Sequence, residues 1–421
     1  MLHPLKKMAL EFHEGTRRGI TSVCSAHPVV IAATLEFARD HDRLALIEAT
    51  CNQVNQDGGY TGMTPADFRE FVFAIADEVG FDREKIILGG DHLGPNPWKG
   101  LPADDAMQKA EEMIAAFARA GFTKLHLDTS MGCKGECVAL PDQTTAERAA
   151  RLAVVAEQFC GDVKPVYVIG TEVPVPGGAL EALDHLQITT PEAVAATYEV
   201  HRKAFLSSGL EDALARVIAL VVQPGVEFGH EDVIHFEPSK AVELTGALRN
   251  FPGLLYEAHS TDYQCQEGLT ALVAGGFAIL KVGPWLTLAL REALYALDNI
   301  ADVLEGCLPR SGLMKTMEEI MLANPGNWEK YYEGTTSFQR IQRHFSYSDR
   351  IRYYWPMKRA RDAVEVLESR LAGKSIPETL LSQYLPSMLD RTQFSDRQWN
   401  FLDIQKSAIK SVLALYYKAC L

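Results

Sequence analysis

Eight short apolar runs, each closed by polar or Gly/Pro punctuation, alternate with helix-like stretches over about the first 290 of 421 residues. The runs are residues 20–24, 44–49, 85–90, 124–128, 166–170, 217–222, 254–258 and 278–282. Between them, residues 65–79, 103–120, 146–159, 191–206, 238–248 and 266–274 carry helical patterning. That count and rhythm match a (β/α)8 barrel. An open doubly wound sheet uses the same units, but no G-x-G-x-x-G turn follows any of these runs. The sequence therefore predicts an α/β fold, a (β/α)8 TIM barrel. After about residue 288 the strand series stops, and Trp, Tyr and charged residues recur at helical spacing. The expected organisation is a barrel over residues 1–290, with a mostly helical C-terminal extension over 291–421 packed on it.

Composition narrows the partners. Lys plus Arg number 41 against 55 Asp plus Glu, a formal charge of -14, so a general nucleic-acid binder is not expected. An anionic substrate stays possible, because a few local cations or amides hold a phosphate inside an acidic protein. The N-terminal segment lacks the apolar stretch of a signal peptide, and no run is long enough to span a membrane. The eight cysteines show no disulfide-scaffold rhythm, and the one close pair, Cys133 and Cys137, has no second pair to complete a zinc site. A cytoplasmic protein with reduced thiols, forming a homo-oligomer, is expected.

In such a barrel the C-terminal strand ends converge on one mouth, where the chemistry sits. Nearly every run here ends in groups that an apolar core would avoid. In chain order they include Ser22, Ser25 and His27, then Glu48, Asn52 and Asn55, then Asp91 and His92. They continue with Asp128 and Ser130, Glu172, Gln223 and Glu227, His259 and Ser260, and Lys281. Any one of them could be a helix cap or a hydrogen-bonded loop residue. Their shared placement is what points to a site. In Gly89-Gly90-Asp91-His92-Leu93-Gly94-Pro95 an apolar strand delivers an acid and an imidazole side by side. A neutral imidazole suits zinc, and an adjacent carboxylate can move a proton on the substrate. His259 offers a second imidazole at the same rim, and Glu227 an oxygen ligand. Two imidazoles, one carboxylate and an open position suit a Lewis-acid metal. Residues 48–63, rich in Asn, Gln and Gly, could hydrogen-bond sugar hydroxyls.

These residues carry a family resemblance. SVCSAHP (22–28), IILGGDHLGPN (86–96), VVQPGVEF (221–228), YEAHSTDYQ (256–264), ILKVGP (279–284) and SDRIRYYWP (348–356) belong to it. Over nearly its whole length the chain resembles the GatZ/KbaZ family, described as an accessory subunit of tagatose-1,6-bisphosphate aldolase and often labelled tagatose 6-phosphate kinase. A kinase label finds no support, since the chain has no G-x-x-x-x-G-K-[ST] phosphate loop. The family is itself similar to class II, zinc-dependent ketose-bisphosphate aldolases. Their pattern sets an acid/base Asp directly before a zinc-binding His, as in Asp91-His92. Their M-[IL]-D-x-S strand is similar to LHLDTS (125–130), and their last zinc His falls near His259. The resemblance implies a divalent metal, zinc being the expected ion, held by His92, His259 and Glu227. Glu227 would stand in for the aldolases' middle His. Their glycine-rich phosphate grip becomes Ser260-Thr261-Asp262, where Asp262 would repel a phosphate dianion. Arg350 and Arg352 are offered as the phosphate holders instead. His126, in mid-run, is expected to fill the barrel rather than to ligate.

The function expected first is a metal-dependent enzyme of tagatose/galactitol catabolism, a D-tagatose 6-phosphate (fructose 6-phosphate) 4-epimerase. It would break and remake the C3–C4 bond of a phosphorylated ketohexose. Asp91 and Glu172 are the acid/base candidates, with Asp128 a third catalytic carboxylate. Ser25, His27, Glu48, Asn52, Ser130, Gln223, Ser260 and Lys281 are the expected substrate contacts. The alternative is a non-catalytic partner that stabilises a separate class II D-tagatose-1,6-bisphosphate aldolase subunit.

Overall fold

The computed structural model describes residues 2–170, 186–388 and 399–421. Its centre is a closed barrel of eight parallel strands. They are β1 (Ile20–Cys24), β2 (Ala45–Thr50), β3 (Ile86–Leu93), β4 (Lys124–Leu127), β5 (Val166–Ile169), β6 (Val217–Val221), β7 (Leu255–Ala258) and β8 (Ile279–Val282). They pair in chain order, and β8 closes on β1 with Ile20 opposite Ile279. Each predicted run lies on one of these strands. Burial on both faces explains their near-continuous apolar character: all five residues of β6 are buried.

Local chemistry starts the surrounding helices. Pro28, Pro65, Pro191 and Pro284 each open a helix, where a missing N–H costs no hydrogen bond. Helix Pro65–Val79 also has a capping box. Thr64 accepts the Asp67 N–H while the Asp67 side chain accepts the Thr64 N–H, and Gly80 ends the helix in the left-handed region. After β6, Glu227–Phe228 pairs antiparallel with Val233–Ile234 in a short two-stranded sheet outside the barrel.

The expected division near residue 290 falls inside helix Pro284–Leu304. The last helix, Phe401–Ala419, returns to the barrel and packs against helices Pro28–Asp40, Gln266–Ala274 and Pro284–Leu304 and against β1. Lys406 and Lys410 bind Glu36 at 2.6 and 2.8 Å, and Tyr416 Oη donates to the Thr261 carbonyl at 2.8 Å. One buried core therefore runs from Leu5 to Cys420. Among the described residues no helix is long and apolar enough to cross a membrane, and all eight cysteines are free thiols.

Candidate active site

Side chains facing the barrel axis form two polar layers. The lower is a square of ions in place of the usual branched aliphatics. Lys124 Nζ lies 2.6 Å from Glu48 and 2.6 Å from Glu257, and Lys281 Nζ lies 2.9 Å from Glu48 and 3.6 Å from Glu257. Ser22 Oγ donates to Glu48 at 2.6 Å. Gly89 makes room for this layer, since a Cβ there would come within 2.6 Å of Glu48 Cγ.

The upper layer is Asp91, His92, His126 and His259, whose ligand atoms all lie within 4.8 Å of one another. Strand alternation accounts for two of these residues. Lys124 and His126 on β4, and Glu257 and His259 at the end of β7, are each two apart and share the inner face. Asp91 and His92 are adjacent, so a regular strand would turn one of them outward. The β3–β4 register shifts between Gly90 and Leu93, and His92 adopts φ 48°, which brings both side chains inward. Gly94 then passes so close to β4 that a Cβ would meet the Asp128 carbonyl oxygen at 1.7 Å.

The three rings meet edge-on, with centroids 4.8 to 5.2 Å apart. Their outer nitrogens are tied down. His92 Nδ1–H donates to Asp128 at 2.8 Å, and His259 Nε2–H donates to Glu257 at 3.0 Å. The His126 Nε2–H donates to the Gly170 carbonyl at 3.2 Å. His126 Nδ1 turns into the cluster, 3.2 Å from the His92 N and 3.0 Å from Asp91 Oδ1. Tethering of the outer nitrogens is what metal-binding histidines require.

Electrostatics point the same way. Burial opposes the Asp91 charge, but His92 and Lys281, the latter at 2.6 Å, hold its carboxyl well below the ordinary range. Burial also opposes a proton on His92, yet Asp91 and Asp128 raise its pKa, so the field here favours positive charge. Burial pushes His259 down to about 3, leaving a neutral ring. Within the two layers Asp91, Asp128, Glu48 and Glu257 face Lys124 and Lys281, so carboxylates outnumber the lysines that oppose them. The buried His/Asp cluster is thus compatible with a divalent metal.

Asp91, His92 and His259 of the cluster line a cavity of about 140 Å³ at the barrel mouth, and His126 lies buried behind them. Of the predicted residues, Asn52, Asp91, His92, Glu227, His259, Ser260, Lys281 and Arg352 line it. Glu227 stands on the wall outside the histidine cluster, and the third imidazole of the cluster is His126, whose mid-run position in the sequence suggests barrel filling instead. Glu227 Oε1 accepts the Phe228 N–H, and burial raises its carboxyl to about 7. Other predicted residues sit behind the mouth. Glu48 belongs to the ionic square, Asp128 holds His92, and Ser130 Oγ donates to Asp128 at 2.9 Å. His27 Nδ1 caps helix Pro28–Asp40, and Ser25 Oγ accepts the His27 N–H. Gln223 Oε1 shapes the next turn by accepting the Gly225 and Val226 N–H groups. Arg350 lies over the Tyr331 ring and donates to the Asn327 carbonyl. Glu172 lies outside the described residues. Tyr60, Tyr353 and Asp262 line the mouth without having been singled out as substrate contacts. The Lys124-x-His126 spacing, parallel to Glu257-x-His259, is the sequence signal that could have found His126.

Comparison with known proteins places the chain in a family. A family model described as D-tagatose-1,6-bisphosphate aldolase subunit GatZ/KbaZ-like matches residues 5–421. A curated protein of Agrobacterium fabrum (strain C58 / ATCC 33970), named D-tagatose 6-phosphate 4-epimerase, is 51% identical over 418 residues, covering 99% of this chain and 98% of that one. A crystal structure from Sinorhizobium meliloti 1021, described as a probable tagatose 6 phosphate kinase, is 56% identical with a TM-score of 0.89, covering 96% of this chain and 100% of the other. The chain belongs to the GatZ/KbaZ-like family of D-tagatose-1,6-bisphosphate aldolase subunits.

Proposed function

We propose that this chain is a D-tagatose 6-phosphate 4-epimerase, with His92, His126 and His259 holding a divalent cation, zinc, beside Asp91. Three imidazoles with an open position are a donor set that catalytic zinc favours. When bound, such an ion would supply Lewis-acid stabilisation of the negative charge that develops on the ketose fragment. Asp91, kept ionised by Lys281, takes the proton of the C4 hydroxyl. The C4 oxygen becomes an aldehyde oxygen, the C3–C4 bond breaks, and its electron pair stays on the C1–C3 fragment. The C4–C6 aldehyde, which carries the phosphate, is kept and turned to present its other face. The bond then re-forms, and Asp91 returns the proton to the C4 oxygen. Asn52 and Ser260, which line the wall, would hold hydroxyl groups in this reading, and Arg352 the phosphate.

The convergence of three outward-tethered histidines on Asp91 carries this reading, supported by the name of the 51% identical relative. To test it, purified chain is stripped with a chelator, reloaded with Zn²⁺ and incubated with tagatose 6-phosphate. The expected product is fructose 6-phosphate, without triose phosphate reaching a coupled dehydrogenase. Equal conversion by stripped protein, or by Asp91→Asn, refutes the reading. The family's description as an aldolase subunit supports a second reading, a stabilising partner. Absence of turnover together with rescue of a co-expressed aldolase would favour it.

A further inference from the structure

(β/α)8 barrels commonly seat a phosphate in the loops after strands 7 and 8, where a helix N-terminus presents backbone N–H groups. In this chain the corresponding place is filled from within. Asp262, four residues beyond β7, has its Oδ1 3.0 Å from the Gly283 N and 2.8 Å from the Trp285 N, at the start of helix Pro284–Leu304. The side chain is 3% exposed and lines the mouth. Its loop is pinned on both sides: Thr261 Oγ1 donates to the Lys281 carbonyl at 2.6 Å, and Tyr416 donates to the Thr261 carbonyl. Ser260 and Tyr263 take φ 50° and 65°, unfavourable for side chains of their size. Glu227 lines the same wall and feels the Asp262 charge.

We propose that Asp262 is a specificity-determining residue, a built-in carboxylate that occupies the anion seat after β7 and β8 and excludes a second phosphate from the mouth. The inference rests on the reading of the mouth as a ketose-phosphate site and names the substrate class as monophosphates. A phosphate on the carbon chain's other end would meet a fixed negative charge and two N–H groups already in use.

The test is calorimetric binding of tagatose 6-phosphate and tagatose 1,6-bisphosphate at pH 7.5, above the value of about 6 to which burial raises Asp262. The full chain should prefer the monophosphate by about tenfold or more. Asp262→Gly, which frees both N–H groups, should cut that preference by about tenfold or more. Asp262→Asn, which keeps an acceptor for the helix N-terminus and removes the charge, should move it the same way. A cap with only a structural role would leave the ratio of the two dissociation constants unmoved. Equal binding of both sugars by the parent chain, or the parental ratio in variants with intact melting curves, overturns the inference alone. A parent chain that binds neither sugar overturns the ketose-phosphate reading and this inference with it.

Discussion

Replacing Asp128 by Asn separates a residue that holds His92 from one that touches substrate. His92 Nδ1–H donates to Asp128 Oδ2 at 2.8 Å, and Ser130 Oγ donates to Oδ1 at 2.9 Å, all inside the protein. Asn keeps the shape but can turn only one acceptor oxygen, and no charge, toward these two donors. A hydrogen bond to a charged group contributes about 1.5–3 kcal/mol and a neutral one about 0.5–1.5. The difference, about 1–1.5 kcal/mol, corresponds to roughly tenfold in affinity for an ion held through His92. Second partners of metal-binding histidines generally contribute 10–100-fold, so tenfold is the expected floor. The assay is competition for Zn²⁺ against a chromophoric chelator, with circular dichroism to confirm folding. Turnover at saturating Zn²⁺ should recover most of what is lost at limiting Zn²⁺. An Asp128→Asn protein with parental zinc affinity would show that the Asp128–His92 bond does not serve an ion, and the three-histidine site would lose its main support.

Further outcomes follow from the buried charges. Lys281→Met leaves Asp91, Glu48 and Glu257 facing one another with Lys124 as their remaining cation, and should cost about 3–5 kcal/mol in urea unfolding. A loss under about 1 kcal/mol would mean the square relaxes freely. Burial lifts Glu227 from 4.5 to about 7, so the native state holds a proton that the unfolded chain has released. Its contribution is full below about pH 4.5 and is lost as pH rises through 7, about 3 kcal/mol in all. Glu227→Gln should therefore stabilise the protein at pH 8 by about that amount and have little effect at pH 4.5, as measured by denaturant melts. Tyr416→Phe, which removes the bond to the Thr261 carbonyl, should cost about 1 kcal/mol and weaken sugar-phosphate binding, though the substitution is in the last helix. Unchanged binding would show that this helix does not brace the mouth.

The sites that were easiest to read from sequence are those where strand alternation and residue chemistry agree. His259 and Lys281 end apolar runs as polar residues, and both reach the axis. His126 follows the same rule from Lys124, but its mid-run position made it look like packing material. Glu227 shows a difference in the other direction. Its place in the family pattern suggested a ligand, whereas the hairpin at Glu227–Phe228 sets it on the wall. Ser25, His27 and Gln223 occur at strand ends because turns and helix starts need acceptors for exposed N–H groups, a demand that produces the same residue types as a binding site. Arg350 and Arg352 are two apart in sequence, yet only Arg352 lines the mouth.

By itself the sequence pointed to the barrel, because eight apolar runs alternating with helices demand burial of both strand faces, and no G-x-G-x-x-G turn marks the open doubly wound alternative. It also determined that acids and imidazoles gather at one end of that barrel. Tertiary structure alone decided which of them meet. A one-residue irregularity in β3 turns Asp91 and His92 to the same side, and Gly94, where any Cβ would collide with the Asp128 carbonyl, lets the chain pass that close to the end of β4. The closing helix was equally out of reach of local patterning. Phe401–Ala419 joins the barrel more than a hundred residues after β8, because burying its apolar face and its Tyr416 and lysine partners is a contact between distant parts of the chain. Spacing along the chain encodes which way a side chain points within one element. Which elements meet, and at what register, is set by packing across the whole barrel.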